Sequence, residues 1–184
     1  MAMIPAQDYD RIAAELQALL RPRFADVTVQ IGNNLHYRGV NIVITSAAFR
    51  DWLPEQRFHH VVRAIPAAFY DEHLRGAGVW FELAPGETGR DLMRMPRSED
   101  VAAEEPKILG RLRKERFFKK LRAAAAGEPG GPSIDGLTLC RRLLAEAGWA
   151  PEEITRACLV FIRHGGFCDA QVLADVLPLL SPPP

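Results

Sequence analysis

Cysteine is scarce in this sequence, and its pattern excludes a disulfide framework. Only three cysteines, Cys140, Cys158 and Cys168, occur among 184 residues. An odd number without dense spacing is not typical of small disulfide-bonded domains. A chain of this kind keeps its thiols reduced, and we therefore expect a cytoplasmic protein.

Long apolar runs and surplus charge are absent as well. No apolar run reaches the ~20 residues of a membrane-spanning helix, so we expect no membrane span. The first residues, MAMIPAQDYD, lack the basic and apolar regions of a secretory signal. With 23 basic and 23 acidic residues the formal net charge is zero, so no overall field steers the chain toward nucleic acid or an anionic membrane.

Signatures of common enzymes are also missing. The chain has no Ser-His-Asp order, no P-loop and no dinucleotide fingerprint. The turn LAPGETG, residues 83–89, lacks the lysine that phosphate chemistry needs. We therefore predict a protein that is not an enzyme and that carries no cofactor.

The first ninety residues alternate between helical and strand patterns. Helices are predicted over DYDRIAAELQALL, EQRFHHVVRAI and PAAFYDEHLRG. Stretches rich in β-branched or aromatic residues predict strands at 27–31, 40–45 and 79–83. GNNLHYRG predicts a hairpin loop. The order α-β-β-α-α-β predicts an α+β domain with a three-stranded sheet and helices on one face.

Beyond residue 106 the pattern changes from mixed to purely helical. Residues 84–106 are rich in proline, glycine and charge, which indicates a loop or a partly disordered linker. A basic connecting helix of about five turns follows, and then a small C-terminal helical bundle. We interpret the chain as an α+β domain at 1–90, a linker with the basic helix at 91–132, and a helical domain at 133–184.

Helix starts and stops define the predicted bundle. Gly148 is placed to end its first helix. Pro151, followed by Glu152 and Glu153, has the order expected at the start of the second. The third helix is predicted to run from Asp169.

RHGGFCDAQVL, residues 163–173, allows a structural and a functional interpretation. The Gly-Gly pair is suited to ending one helix, and Asp169 to capping the next. The alternative is a reactive thiolate at Cys168, with its pKa lowered by the helix N-terminus, although Asp169 would oppose that by repulsion. The pattern favours a helix junction.

The same stretch carries a family resemblance. GGFCDAQVLADV resembles the C-terminal signature of a small bacterial domain, Gly-Gly-aromatic-Cys-Asp-Cys-Glu-Val-Leu followed by Asn-Val, over roughly residues 133–180. The resemblance implies no particular activity. Ala170 stands where that family has its second cysteine, which argues against a two-cysteine metal clamp here.

The N-terminal half resembles BolA-like proteins and, more loosely, type II KH domains. The resemblance rests on AAFRDWLPEQRFHHVVRAI and VWFELAPGE together with the element order. BolA-like proteins partner glutaredoxins and can lend a histidine to an iron–sulfur cluster. Here Trp80 stands at the position of the usual strand histidine, and no GxxG loop separates the central helices. The resemblance therefore implies a fold rather than cluster binding or RNA clamping.

His59 and His60 suggest a metal site, but their spacing disfavours it. Adjacent helical residues point about 100° apart, so both cannot face one ion on a straight helix. The alternative is that one histidine packs or caps while the other is solvated.

KILGRLRKERFFKKLR, residues 107–122, is the strongest electrostatic feature. It has eight basic residues and one acid, and the candidate binding residues are Lys107, Arg111, Arg113, Lys114, Arg116, Lys119 and Lys120. Such a helix can lie on phosphate, on an acidic partner or on an anionic membrane. The alternative is an apolar stripe that packs while the charges stay in water. Nearby acids that could neutralise it are Glu99, Asp100, Glu104 and Glu105.

Three functions follow from these patterns. The leading prediction is a non-enzymatic interaction or adaptor module whose partner is another protein. The first alternative is a nucleic-acid-binding regulator that uses the basic helix at 107–122. The second is a metal- or thiol-dependent accessory protein that uses His59, His60 or Cys168.

Overall fold

The computed structural model of the protein describes residues 4–34, 39–76 and 78–180. The chain divides into two compact units, Met1–Met95 and Pro96–Pro184. The predicted α+β class is confirmed: the first unit contains a three-stranded sheet, and the described part of the second is helical. Residues 35–38 of the predicted hairpin loop lie outside the described residues.

The first unit has the predicted order α-β-β-α-α-β. Its elements are α1 (Tyr9–Leu20), β1 (Thr28–Asn33), β2 (Val40–Thr45), α2 (Pro54–Arg63), α3 (Ala67–Phe69, continued by a π-helical turn at Tyr70–Leu74), β3 (Gly78–Leu83) and α4 (Gly89–Arg94). The strand order is β1-β2-β3, with β1 antiparallel and β3 parallel to β2. A parallel neighbour needs a long crossover, which α2 and α3 supply.

The core of the first unit lies on one face of this sheet. Val29 of β1 is opposite Ile44 of β2, and both are buried. Helix α1 contributes Ile12, Leu16 and Leu20, spaced four residues apart and each at most 2% exposed. Each such side chain stabilises the fold by about 1.5–3 kcal/mol relative to full exposure.

The inner face of α2 includes charged and polar side chains and leaves Phe58 outside. Phe58 is 43% exposed, whereas Arg57 and His60 are buried beside Val61. These three residues are three and four positions apart and so share one side of the helix. Phe58 instead packs edge-on against Trp80, with ring centres 6.0 Å apart.

Two short helical elements occupy the stretch that the sequence predicts to be a loop. At the start of α4, Thr88 accepts the N–H of Asp91 at 3.3 Å and Asp91 accepts the N–H of Thr88 at 2.9 Å. A 3-10 helix follows at Ser98–Val101. Leu92 and Val101 are buried. With six and four residues, these elements are too short to show a helical period, so the prediction was wrong here.

The described part of the second unit is a set of packed helices. They are α5 (Glu105–Lys114), α6 (Phe117–Gly127), α7 (Thr138–Glu146), α8 (Pro151–Arg163) and a last segment formed by α9 (Asp169–Gln171), a π-helical turn (Val172–Val176) and α10 (Leu177–Leu180). The last three helical segments match the three predicted ones. The basic helix does not: it is two helices, α5 and α6.

The second core is built around α8. This helix buries seven residues: Ile154, Ala157, Cys158, Leu159, Val160, Phe161 and Ile162. Phe117 of α6 stacks on Phe161 with ring centres 5.5 Å apart and planes within 16°. Leu112 of α5 and Leu121 of α6 are fully buried. The two basic helices therefore contribute to this core.

Candidate functional site

Helices α5 and α6 meet at Glu115 and Arg116, which we call the α5–α6 corner. Arg116 has a φ of +54°, the only positive φ of a non-glycine residue in the described ranges. This left-handed conformation costs about 1–2 kcal/mol for a residue with a side chain. It ends the i to i+4 bonding of α5, since the N–H of Arg116 bonds to the carbonyl of Arg113 at 3.0 Å. The corner lets both helices bury their apolar sides.

The cations of this segment lie on the opposite, exposed sides. Seven of them form what we call the basic surface: Lys107, Arg113, Lys114, Arg116, Lys119, Lys120 and Arg122. Six of these are candidate binding residues from the sequence, and Arg122 is an addition. The apolar residues of the same segment pack into the core, as the alternative interpretation predicted: Leu109, Phe117 and Phe118 are buried.

Arg111, the remaining candidate, is engaged inside the unit. Its guanidinium forms ion pairs of 2.8 Å with both Glu115 and Glu153, and lies 4.0 Å from the centre of the Trp149 ring. Trp149 Nε1 also donates to Glu115 Oε2 at 2.7 Å. Arg111 therefore anchors α5 to α8 and to Trp149, and is not part of the basic surface.

Three of the four acids that could have neutralised the basic segment have partners outside it. Glu104 pairs with Arg156 at 3.1 Å. Glu105 pairs with Arg163 at 2.9 Å and lies 2.8 Å from His164 Nε2. Asp100 accepts the backbone N–H of Arg97 at 2.7 Å. Because Arg156, Arg163 and His164 belong to α8 and its C-cap, two of the four acids neutralise α8 instead.

The basic surface is correspondingly short of counter-charge. Over residues 4–34, 39–76 and 78–180, no ion pair involves Lys107, Lys114, Arg116, Lys119 or Lys120. Lys120 acts on Glu115 only as a more distant charge. These five cations are thus solvated rather than paired.

The start of α6 adds to this imbalance. A helix N-terminus carries partial positive charge and normally has acids in its first turn. The first turn of α6 has none, and its N-cap residue Arg116 makes no side-chain capping bond. Lys119 and Lys120 lie in that turn instead. The start of α6 therefore lacks both an acidic first turn and a side-chain cap, and it directly follows the left-handed residue Arg116.

The two histidines do not converge on a common point. His60 is buried against Trp52, with ring centres 4.6 Å apart, and its Nδ1 lies 3.5 Å from the guanidinium of Arg23. The two rings are 5.4 Å apart and nearly perpendicular. Burial, and next the charge of Arg63, lower the pKa of His59. In the described part of the chain, no three His, Cys, Asp or Glu side chains are grouped to hold a metal ion.

The Gly-Gly pair ends α8, as its pattern predicts. Gly165 has a φ of +83°, and its N–H bonds to the carbonyl of Ile162 while that of Gly166 bonds to Phe161, both at 2.9 Å. These bonds form the Schellman arrangement. Gly166 is needed for a second reason: a Cβ there would lie 2.7 Å from Val176 Cγ2 and 3.2 Å from the Phe161 carbonyl oxygen.

Asp169 caps a helix other than the predicted one. Its helix, α9, has Cys168 at the N-cap position. The Asp169 carboxylate instead accepts the N–H groups of Leu139 and Cys140 at the start of α7, each at 2.9 Å. Burial raises the pKa of Asp169, against these hydrogen bonds. The prediction that Asp169 caps its own helix is therefore wrong.

The cysteines lie inside the same region. Cys168 is 4% exposed, and its Sγ lies 3.4 Å from Gln171 Oε1. Burial raises the pKa of the Cys158 thiol to about 11 and that of Cys140 well above its usual range. Burial thus disfavours the thiolate at Cys140 and Cys158.

The sequence gives little indication of a buried ion pair between Arg57 and Glu87. Arg57 is fully buried. Its Nη1 and Nη2 donate to the Glu87 carboxylate at 2.5 and 3.1 Å, and the guanidinium also bonds to the carbonyls of Trp52 and Glu82. The only sequence signal is the Pro-Gly-Glu turn, which places an acid just after β3.

Comparisons with known proteins give no family for the chain. It matches no protein-family model, and no curated protein or solved structure shows significant similarity to it. Among the described helices, none combines the length and the apolar character needed to cross a bilayer.

Proposed function

We propose that this protein is a non-enzymatic binding protein whose basic surface holds the phosphate backbone of a nucleic acid. The observation that supports this is the separation of charge in the second unit. Glu104 and Glu105 are held by side chains of α8 and its C-cap, which leaves cations such as Lys119 and Lys120 exposed and without ion pairs in the described part of the chain. An uncompensated cluster of this kind is what phosphate contacts require.

The chemistry of the surface favours phosphate over an acidic protein. Protein interfaces have an apolar, often aromatic centre with a polar rim. The large exposed apolar residues of the described chain are Phe58, Val79, Met93, Ile134 and Leu179, and none belongs to α5 or α6. The basic surface is therefore charged throughout, as a surface that contacts a polyanion should be.

The same surface lacks exposed aromatic side chains that could stack on bases. The aromatic residues of the same helices, Phe117 and Phe118, are buried in the core. They are therefore not available for stacking on unpaired bases. Contacts to phosphate position a nucleic acid but do not specify its sequence. We therefore propose binding that depends on charge and salt and not on sequence.

This proposal is tested by measuring binding affinity with fluorescence anisotropy. The probes are labelled 20-base-pair DNA duplexes and single-stranded RNAs, each in several unrelated sequences. Affinity should fall with salt, with a slope of log K against log salt of about −0.9 for each phosphate contacted in the duplex. Lys119→Glu with Lys120→Glu should weaken binding at least ~10-fold and reduce that slope by about two, one for each lysine.

A matched control uses the same charge change in the first unit. Arg50 and Arg63 are both exposed and are not part of the basic surface, so Arg50→Glu with Arg63→Glu should leave affinity within about two-fold of the wild type at physiological ionic strength. Circular dichroism must show that all variants are folded. The proposal fails if neither nucleic acid binds at 50 mM salt, or if the Lys119 and Lys120 variant binds like the wild type.

A further inference from the structure

The outer edge of β1, in the first unit, has backbone N–H and C=O groups that point away from the sheet. β1 is the edge strand next to β2. The N–H of Asn34 bonds to the carbonyl of Gly39 across the pair, whereas the N–H of Val29 bonds to Gln17 Oε1 at 3.0 Å. In an antiparallel pair these directions alternate, so the backbone groups of Val29, Ile31 and Asn33 point away from β2.

This edge lacks the usual protection against added strands. Edge strands in soluble proteins are commonly blocked by lysines, prolines or bulges. The sequence of β1, TVQIGN, has no charge and no proline, and its pairing with β2 runs without a bulge from Thr28 to Asn33. Of the outward backbone groups, the N–H of Val29 is bonded to the side chain of Gln17. The N–H and C=O of Ile31 are left to accept a strand.

A groove accompanies the edge. Its volume is about 500 Å³, and it lies between Asp10, Ala13 and Ala14 of α1 and Val29 and Ile31 of β1. Two hydrogen bonds join α1 to β1 near the groove: the bond from the Val29 N–H to Gln17 Oε1, and the bond of 2.6 Å from the Tyr9 hydroxyl to Asn33 Oδ1. From residue 29 to residue 33 the strand extends by about 13 Å at ~3.3 Å per residue, room for a short peptide.

We propose that this groove binds an extended peptide strand of a partner protein, with a basic side chain beside Asp10. The unpaired backbone groups of β1 specify a strand, since only a strand offers complementary groups at that spacing. The alanines of α1 leave room for its side chains. Asp10 is exposed and has no ion pair in the described residues, whereas Asp8 and Glu15 are both paired with Arg11.

Charge complementarity also favours a basic peptide over the β1 strand of a second copy of the chain. Self-pairing would bring another TVQIGN strand, which carries no cation for Asp10. The site lies in the first unit and has acidic character, so it is independent of the proposed nucleic-acid binding, and either proposal can fail alone.

Selection from a random heptapeptide phage library tests the proposal. The full-length protein is the bait, with depletion against Ala14→Leu, which fills the groove. Peptides enriched on the wild type should alternate β-branched residues and carry a lysine or arginine. Ala18→Leu is the matched control, because Ala18 is exposed on α1 but does not line the groove. It should retain the same peptides.

Two measurements on an enriched peptide then identify the mode of binding. Alternate N-methylation of the peptide should abolish binding if backbone hydrogen bonds carry it, and the amide of Ile31 should exchange more slowly in the complex. Asp10→Lys should weaken a lysine-containing peptide about two- to five-fold, as expected for an exposed ion pair. No enrichment over Ala14→Leu, or full binding of the N-methylated peptide, refutes the proposal. A β1-dependent dimer in solution would assign the edge to a second copy instead.

Discussion

Arg57 and Glu87, thirty residues apart in sequence, form a bidentate ion pair in which the guanidinium is fully buried. The pair joins α2 to the turn after β3, and Glu87 also accepts the N–H of Ala84 at 2.7 Å. Removing one partner of such a pair is costly because the other charge stays buried.

Glu87→Gln should therefore lower the free energy of unfolding at pH 7 by about 2–3 kcal/mol, somewhat below the range for fully buried pairs, because Glu87 is 20% exposed. Hydrogen bonds from Arg57 lower the pKa of Glu87 below its ordinary value of 4.5. A carboxyl with a lowered pKa stabilises the fold above its unfolded pKa and loses this effect as pH falls through the folded one.

Urea denaturation at pH 7 and at several values below 4.5 measures this, and the gap between variant and wild type should shrink with falling pH. Glu15→Gln is the control, since its ion pair with Arg11 is exposed and is worth at most about 1 kcal/mol. An equal loss in both variants would contradict the importance assigned to burial.

Asp169→Asn tests the cap on α7. An amide can accept only through one oxygen, so one of the two N–H groups loses its partner, at a cost of about 1–3 kcal/mol. The pKa of Asp169 is raised above 3.8, so its contribution to stability decreases as pH rises from there through the folded pKa. The variant should lack this acid-side trend in its thermal unfolding, whereas the exposed Asp175→Asn should keep it.

The two glycines of the α8 junction should respond differently to alanine. Gly165→Ala meets open space and should cost about 1 kcal/mol for its left-handed φ. Gly166→Ala should cost more, about 2–3 kcal/mol for overpacking, because its Cβ would lie 2.7 and 2.8 Å from Val176 and Val172. The double variant Gly166→Ala with Val176→Ala should lose about 1 kcal/mol less stability than the sum of the two single losses, because the smaller side chain makes room for the new Cβ. Additive costs would show that Val176 is not the obstacle.

Arg116→Gly should separate stability from binding. Glycine adopts positive φ readily, so the free energy of unfolding should stay equal or rise by up to about 1 kcal/mol as the left-handed strain is relieved. Nucleic-acid affinity should nevertheless fall, since one cation of the basic surface is lost. Arg122→Gly, inside α6, removes a similar charge but should lower stability by about 1 kcal/mol. If Arg116→Gly binds like the wild type, the corner does not contact phosphate.

Local patterns predicted the regular elements of the fold. Stretches rich in β-branched or aromatic residues indicated the three strands, and Pro151 with Glu152 and Glu153 indicated the start of α8. These signals lie within a few neighbouring residues. The short helix α4 was missed because six residues do not establish a period.

The features of the candidate sites depend on contacts between distant residues. Nothing near Arg57 in sequence shows that Glu87 will bury it, and nothing near Glu104 shows that Arg156 will take its charge. The break at Arg116 is also hidden, because arginine is an ordinary helix former. Sequence patterns located the basic segment but could not show which of its cations stay exposed.

The bond between Asp169 and the start of α7 has a consequence for the growing polypeptide. Leu139 leaves the ribosome thirty residues before its acceptor, a delay of about 1.5–6 s at ~5–20 residues per second. Throughout that interval the first turn of α7 is without its cap. Helix α7 therefore reaches its full stability only after the last segment of the second unit has emerged, and not while its own residues are being added.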